Sequence, residues 1–194
     1  ENATYDLDSK GKLWIKGSGA VTDITAFEEN NQIRTVVVKE GITDIAPYAF
    51  SRCDSLVSVT LPDSMTAIRE AMFIKCDNLS EVTLPKKLKV IGDNAFSGCM
   101  NLTSLTLPDT LTDIGVEAFS GVGITKFNLP QGVQRIGEGA FTSDIFTEIQ
   151  LPETITDLGA RAFQYCEKLK NITIPENVSE IRDGTFLACS ALKT

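Results

Sequence analysis

Apolar residues recur along this chain in a fixed order. The clearest unit reads Leu79-Ser80-Glu81-Val82-Thr83-Leu84-Pro85, then Leu88, Ile91-Gly92, Ala95-Phe96 and Cys99. Residues 56–62 and 102–108 match its first part closely. Val82 and Leu84 are two apart and share one face of a strand, while Thr83 points the other way. Pro85 ends the strand because it has no N–H for a ladder. Leu88 and Ile91 carry the chain back over the core, and Gly92-Asp93-Asn94 is turn chemistry. Ala95, Phe96 and Cys99 stand at i, i+1 and i+4, which predicts one short helical turn facing inward.

Two residue types keep the same clock. Phe recurs at 50, 73, 96, 119, 141, 163 and 186, and Pro at 62, 85, 108, 130, 152 and 175, in steps of 22 or 23. The pattern predicts seven repeats over residues 33–194, with Leu192 opening an eighth. One such unit buries little by itself, but stacked units share a core. The first unit is looser, with Lys39 where Pro is expected. The two 22-residue steps follow Phe119 and Phe141, and there Val122 and Asp144 replace the Cys of the other units. A rebuilt loop is expected at both, with Ile145 taking the inward position. The solenoid is expected to depart from uniform curvature there.

Residues 1–32 do not follow the repeat. Tyr5-Asp6-Leu7 and Leu13-Trp14-Ile15 flank Asp8-Ser9-Lys10-Gly11-Lys12 as a hairpin, and Gly17-Ser18-Gly19 is a turn. A solenoid needs its end covered, so this segment is expected to be an N-terminal β cap. Trp14 is read as a cap-packing residue, not a stacking platform.

The unit resembles the BspA-like leucine-rich repeats of bacterial surface proteins, and Tyr5-Asp6-Leu7 with the run from Gly11 to Ala20 resembles that family's cap. The expected fold is an α/β-type leucine-rich-repeat solenoid: short parallel strands, short helical turns on the opposite side and an N-terminal β-hairpin cap. The resemblance implies an extracellular or cell-surface protein, and some members of the family are adhesins that bind host matrix or plasma proteins. It specifies the fold far more than the ligand. The chain begins Glu1-Asn2-Ala3, without Met, which reads as a processed start from which a leader has been removed.

Composition narrows the chemistry. The net charge is −8 and the pI near 4.6, which argues against nucleic acid and anionic membranes as partners. No apolar run reaches the length that spans a bilayer, so no direct membrane insertion is expected. His is absent, which removes the commonest general base and neutral metal ligand. Ser and Thr therefore lack their usual activator. No enzymatic activity, catalytic residue, metal or cofactor is expected. Asp144 is the one charge at a normally apolar position, and a locally rebuilt loop accounts for it. Cys53, Cys76, Cys99, Cys166 and Cys189 share one repeat position. Their odd number, and the exchange for Val122, favour buried free thiols over disulfides or zinc. Asn-x-Ser/Thr sequons arise because the unit favours Asn just before the strand's Leu and Ser or Thr just after it, as at Asn78 and Asn101.

The remaining candidate is the outward strand face. One column reads Thr60, Thr83, Thr106, Asn128, Gln150 and Thr173; beside it run Ser58, Glu81, Ser104, Lys126, Glu148 and Asn171. A flat hydrogen-bonding surface suits a host or neighbouring-cell surface or matrix protein, although Thr is also simply a good exposed strand residue. These columns contain no aromatic residue, so a modest or multivalent affinity is expected. Two other readings stand beside this one: a carbohydrate-binding module, and a structural spacer presenting another domain.

Overall fold

The computed structural model describes residues 2–193; Glu1 and Thr194, the outer ends of the two predicted segments, lie outside the described residues. The secondary structure is all strand: β1 (Thr4–Leu7), β2 (Lys12–Lys16), β3 (Gly19–Val21), β4 (Thr35–Val38), β5 (Ile42–Ile45), β6 (Ser58–Thr60), β7 (Ala67–Ile68), β8 (Glu81–Thr83), β9 (Val90–Ile91), β10 (Asp113–Ile114), β11 (Phe127–Asn128), β12 (Arg135–Ile136), β13 (Ile149–Gln150) and β14 (Asp157–Leu158). β1 and β2 form an antiparallel hairpin, and β2 then pairs in parallel with β4. The ladder continues through β6 to β8. Parallel to it runs a second ladder in the order β14-β12-β10-β9-β7. Residues 12–16 thus lie flush against the first repeat, and Leu13 and Ile15 are buried in the common core beside Val36 and Val38.

The expected helical turns are absent: no described residue is in a helix, so the fold is a β-solenoid and the α/β reading is corrected. Backbone conformation gives the reason. The residues two before and two after each repeat Phe have positive φ, as in Asn94 at 56° and Gly98 at 77° around Phe96. A left-handed residue on either side of Phe ends any right-handed helix before one turn is complete. Alternate N–H groups instead reach the next coil: Asn94 donates to the Val116 carbonyl (2.7 Å), Phe96 to Ala118 (2.9 Å) and Gly98 to Ser120 (2.8 Å). Ala95, Phe96 and Cys99 are nonetheless buried. The inward assignment holds while the helix does not.

Close approach of the coils also fixes a glycine column. A Cβ on Gly137 would lie 2.5 Å from the Gly115 carbonyl carbon, and one on Gly159 2.4 Å from that of Gly137. No side chain fits there without parting the coils.

The core is a stack of aromatic rings. Phe27, Phe50, Phe73, Phe96, Phe119, Phe141, Phe163 and Phe186 lie 5.3–5.8 Å apart centroid to centroid, within 19° of parallel. Tyr5 closes the N-terminal end of the stack, edge-on to Phe27 at 4.9 Å. The stack thus begins inside the segment predicted as cap.

Candidate functional site

The outward strand face follows from the same alternation that buries its neighbours. Val59 turns inward in β6, so Ser58 and Thr60 turn outward. Ser58 sits beside Glu81, and Thr60 beside Thr83, in one register. The Ser58 hydroxyl donates to Thr35 Oγ1 at 3.1 Å. Farther along, Asn128 pairs with Gln150 in the β11–β13 register, and Glu148 forms a single bridge to Asn171. Of the twelve predicted residues, Ser58 is half-buried and the rest are exposed.

The face is not one sheet. Residues 102–107 join neither β8 nor β11, so among the described residues the ladder breaks between them. Ser104 and Thr106 are exposed but unregistered, and Lys126 and Thr173 also stand outside any pairing between columns. Beyond the break the surface is grooved: one shallow depression is lined by Lys126, Asn128, Gln131, Glu148 and Gln150, and a second by Gln150, Glu153, Asn171 and Thr173. The second ladder runs past the same repeats without interruption. At these repeats the break in pairing is thus confined to the strand face; the second side has its own break nearer the cap, where β3 and β5 form a sheet separate from β7.

Trp14 also lies on the outward strand face. Leu13 and Ile15 are buried, so Trp14 is outward, and its partner in the ladder is Val37, which pairs with Thr60. Trp14 therefore heads the Thr60–Thr83 column while staying half-buried within the cap hairpin, opposite Asp6. The Nζ atoms of Lys12 and Lys39 lie 4.1 and 4.9 Å from its ring centroid. The signal was present in the Leu13/Ile15 alternation.

The interior offers little chemistry. Each cysteine thiol donates to the carbonyl of a Phe in the preceding coil, Cys99 to Phe73 at 3.1 Å for example. All five are free and buried. Burial pushes Cys53 up to about 11 and Cys99 and Cys166 to about 12, well away from a reactive thiolate. Asp144, not Ile145, takes the inward position: it is buried and Ile145 is half-exposed. Its Oδ1 accepts from the Val122 N–H at 3.1 Å, while Oδ2 has no partner. Burial raises its pKa well above the ordinary carboxylate value, and the backbone N–H groups of Val122 and Gly121 offset only part of that. Among the described residues no group of three or more His, Cys, Asp or Glu is placed to hold a metal ion.

Comparison with known proteins places these features. The family model described as a BspA type leucine-rich repeat region matches residues 21–144 and 121–194, in six copies. No curated protein matches the chain. Among solved structures, a leucine-rich repeat protein from Bacteroides ovatus is 30% identical with a TM-score of 0.73, covering 100% of this chain and 51% of its own. A leucine rich cell surface protein from Faecalibacterium prausnitzii is 23% identical with a TM-score of 0.72, covering 89% of this chain and 52% of its own. A T. pallidum leucine-rich repeat protein is 25% identical with a TM-score of 0.58, covering 98% of this chain and 77% of its own. The chain thus spans about half the length of the first two.

Proposed function

The chain belongs to the BspA-type leucine-rich repeat family, and from that premise we propose that it is a non-enzymatic interaction module of an extracellular or surface-exposed bacterial protein, binding a protein partner across its outward strand face. The observation that carries this reading is the contrast between the faces of a coil. The inward positions are filled by stacked Phe and buried thiols, and the turn side by backbone bonds between coils. The strand face presents columns of exposed, hydrogen-bonding side chains that vary from repeat to repeat, Thr60, Thr83, Asn128, Gln150 and Thr173, none of them in the ion pairs that join coils along the second ladder, such as Arg69–Asp44 and Arg135–Asp157. Shape and side-chain variation on a rigid backbone are what a solenoid offers a ligand.

Membership in the family supports placement outside the cytoplasm. The buried, free thiols need no oxidising compartment and do not decide it.

The test is a binding panel of matrix proteins, surface extracts of neighbouring cells and a glycan array, probed with the whole chain. Saturable binding to a protein, weakened by Thr60→Arg/Thr83→Arg, is expected. Binding to glycans with no protein partner would replace this reading with the carbohydrate-binding one.

A further inference from the structure

Two oddities of the sequence meet in space. Trp14 is the only Trp of the chain, and Lys39 breaks the run of Pro at the end of the repeat strand. The Lys39 N–H donates to the Ile15 carbonyl at 2.8 Å, which explains why Pro is excluded there. It does not explain Lys, since any other residue keeps that bond. The ammonium does: it lies over the Trp14 ring, and so does that of Lys12.

Two like charges sharing one ring stand within about one Debye length of each other, ~8–10 Å at ordinary salt. Lys16 lies on the same outward face, two residues past Trp14. In a chain of net charge −8 this concentration of cations invites neutralisation. Elsewhere it occurs within the fold, as in Arg69–Asp44, Arg161–Glu138 and Arg182–Asp157. Two carboxylates of the hairpin stand near, Asp6 opposite Trp14 and Asp8 beside Lys12, but Asp8 is turned to the Lys10 and Lys12 backbone N–H groups, and among the described residues none of Lys12, Lys16 and Lys39 makes an ion pair. Trp14 and its strand neighbour Val37 are each half-buried, so part of both apolar side chains faces solvent. Trp is also among the residues that most often anchor an interface.

We infer that Trp14, Lys12 and Lys39 form an anchor for an acidic, extended peptide segment of a protein partner, whose carboxylates pair with the two ammonium groups and whose apolar side chains rest on Trp14 and Val37. The inference rests on the reading of the strand face as the binding surface. The column favours a peptide over a sugar. Beside Trp14 stands apolar Val37, followed by Thr60 and Thr83, so the surface runs on for several strands and is not one ring wide. Between β2 and β8 its charge also changes, from cationic at Lys12 and Lys39 to acidic at Glu81, which favours a ligand whose acidic residues lie at the cap end of that stretch.

As the only Trp, Trp14 reports on this site alone in a fluorescence titration of the whole chain. The probes are a short peptide alternating Glu and Leu, its Gln–Leu counterpart, and oligogalacturonate. The Glu–Leu peptide should shift Trp14 emission saturably, with an affinity that falls as salt rises, and the Gln–Leu peptide should not. Lys12→Ala/Lys39→Ala should weaken the binding at least about tenfold, while Lys168→Ala/Lys170→Ala, at the far end, leaves it unchanged. Thermal unfolding of each variant separates lost binding from lost folding. The inference is overturned by no response to the Glu–Leu peptide, by an equal response to both peptides, by indifference to Lys12→Ala/Lys39→Ala, or by a response to oligogalacturonate alone. A protein partner that is lost on Thr60→Arg/Thr83→Arg but ignores the lysine variant would also overturn it, while leaving the wider strand-face reading intact. Peptide binding at Trp14 with every partner indifferent to Thr60→Arg/Thr83→Arg would uphold the anchor and end the wider reading.

Discussion

Two columns run side by side through the core, and only one is unbroken. The Phe column passes every coil from Phe27 to Phe186. The Cys column runs Cys53, Cys76 and Cys99, gives way to Val122 and Asp144, then resumes at Cys166 and Cys189. The Phe position supplies volume that no neighbour can replace. The Cys position supplies a small apolar body and one weak S–H bond to a carbonyl, which other residues can forgo. Where the Cys column lapses and the loop loses a residue, two extra rings fill in. Phe127 packs edge-on against Phe119 at 5.1 Å and Phe141 at 5.0 Å, and Phe146 edge-on against Phe141 and Phe163. The core therefore tolerates a shortened loop by adding aromatic volume beside a Phe column that does not change.

The contrast can be broken most severely at Phe96. Replacing it with Ala opens a gap between Phe73 and Phe119 and should cost roughly 3–5 kcal/mol in denaturant unfolding. A loss under about 1 kcal/mol would mean that the column is not what holds the coils together. Gly137→Ala acts between coils instead of within the column. It should cost about 1–3 kcal/mol, since the added carbon meets backbone that cannot yield. Cys99→Ala should cost less than Phe96→Ala, about 1–2 kcal/mol, because it removes one sulfur and one weak bond. Equal costs for the two would erase the distinction between the columns.

Asp144 sharpens the comparison through pH. Its folded pKa lies above its unfolded value. The stability linked to its protonation is therefore complete below the unfolded pKa, about 3.9, and is lost as pH rises through the folded one. Thermal unfolding followed upward from about pH 4 should show the chain weakening relative to Asp144→Asn, which cannot ionise. Parallel pH profiles for the two would mean that the carboxyl is solvated. The smallest effect concerns the thiols. Native thiol titration at mildly alkaline pH should find all five slow to react, and denaturation should release all five together.

Much of this was legible in the sequence. The 22–23-residue clock located the inward Leu, Ile, Phe and Cys positions because burial imposes one residue class at fixed spacing. The turn opposite the strands was misjudged because i, i+1, i+4 spacing says which residues face inward and nothing about the sign of φ. The relevant hint lay in Asn94, Gly98, Gly121, Gly139 and Gly184, residue types that accept positive φ and stand two from the repeat Phe. Phe27 was one period before Phe50 but lay in a segment lacking the rest of the motif. Asp144 was displaced in expectation by Ile145 because charge resists burial; the Val122 N–H that donates to its carboxyl is visible only in three dimensions. On the strand face, alternation named the outward residues, but the break at 102–107 was hidden. That unit carries the repeat's own sequence from Leu102 to Pro108.

The claim that the strand face binds the partner is tested most directly by mapping that partner's affinity over the two ladders. Arg substitutions at Thr60 and Thr83 should abolish or strongly weaken binding. Thr66→Arg with Lys89→Glu, at exposed residues flanking the second ladder, should leave it within about twofold, as for neutral positions outside an interface. Loss at Thr66 and Lys89 with full binding by the strand-face variant would contradict the account and move the interface to the other side of the solenoid.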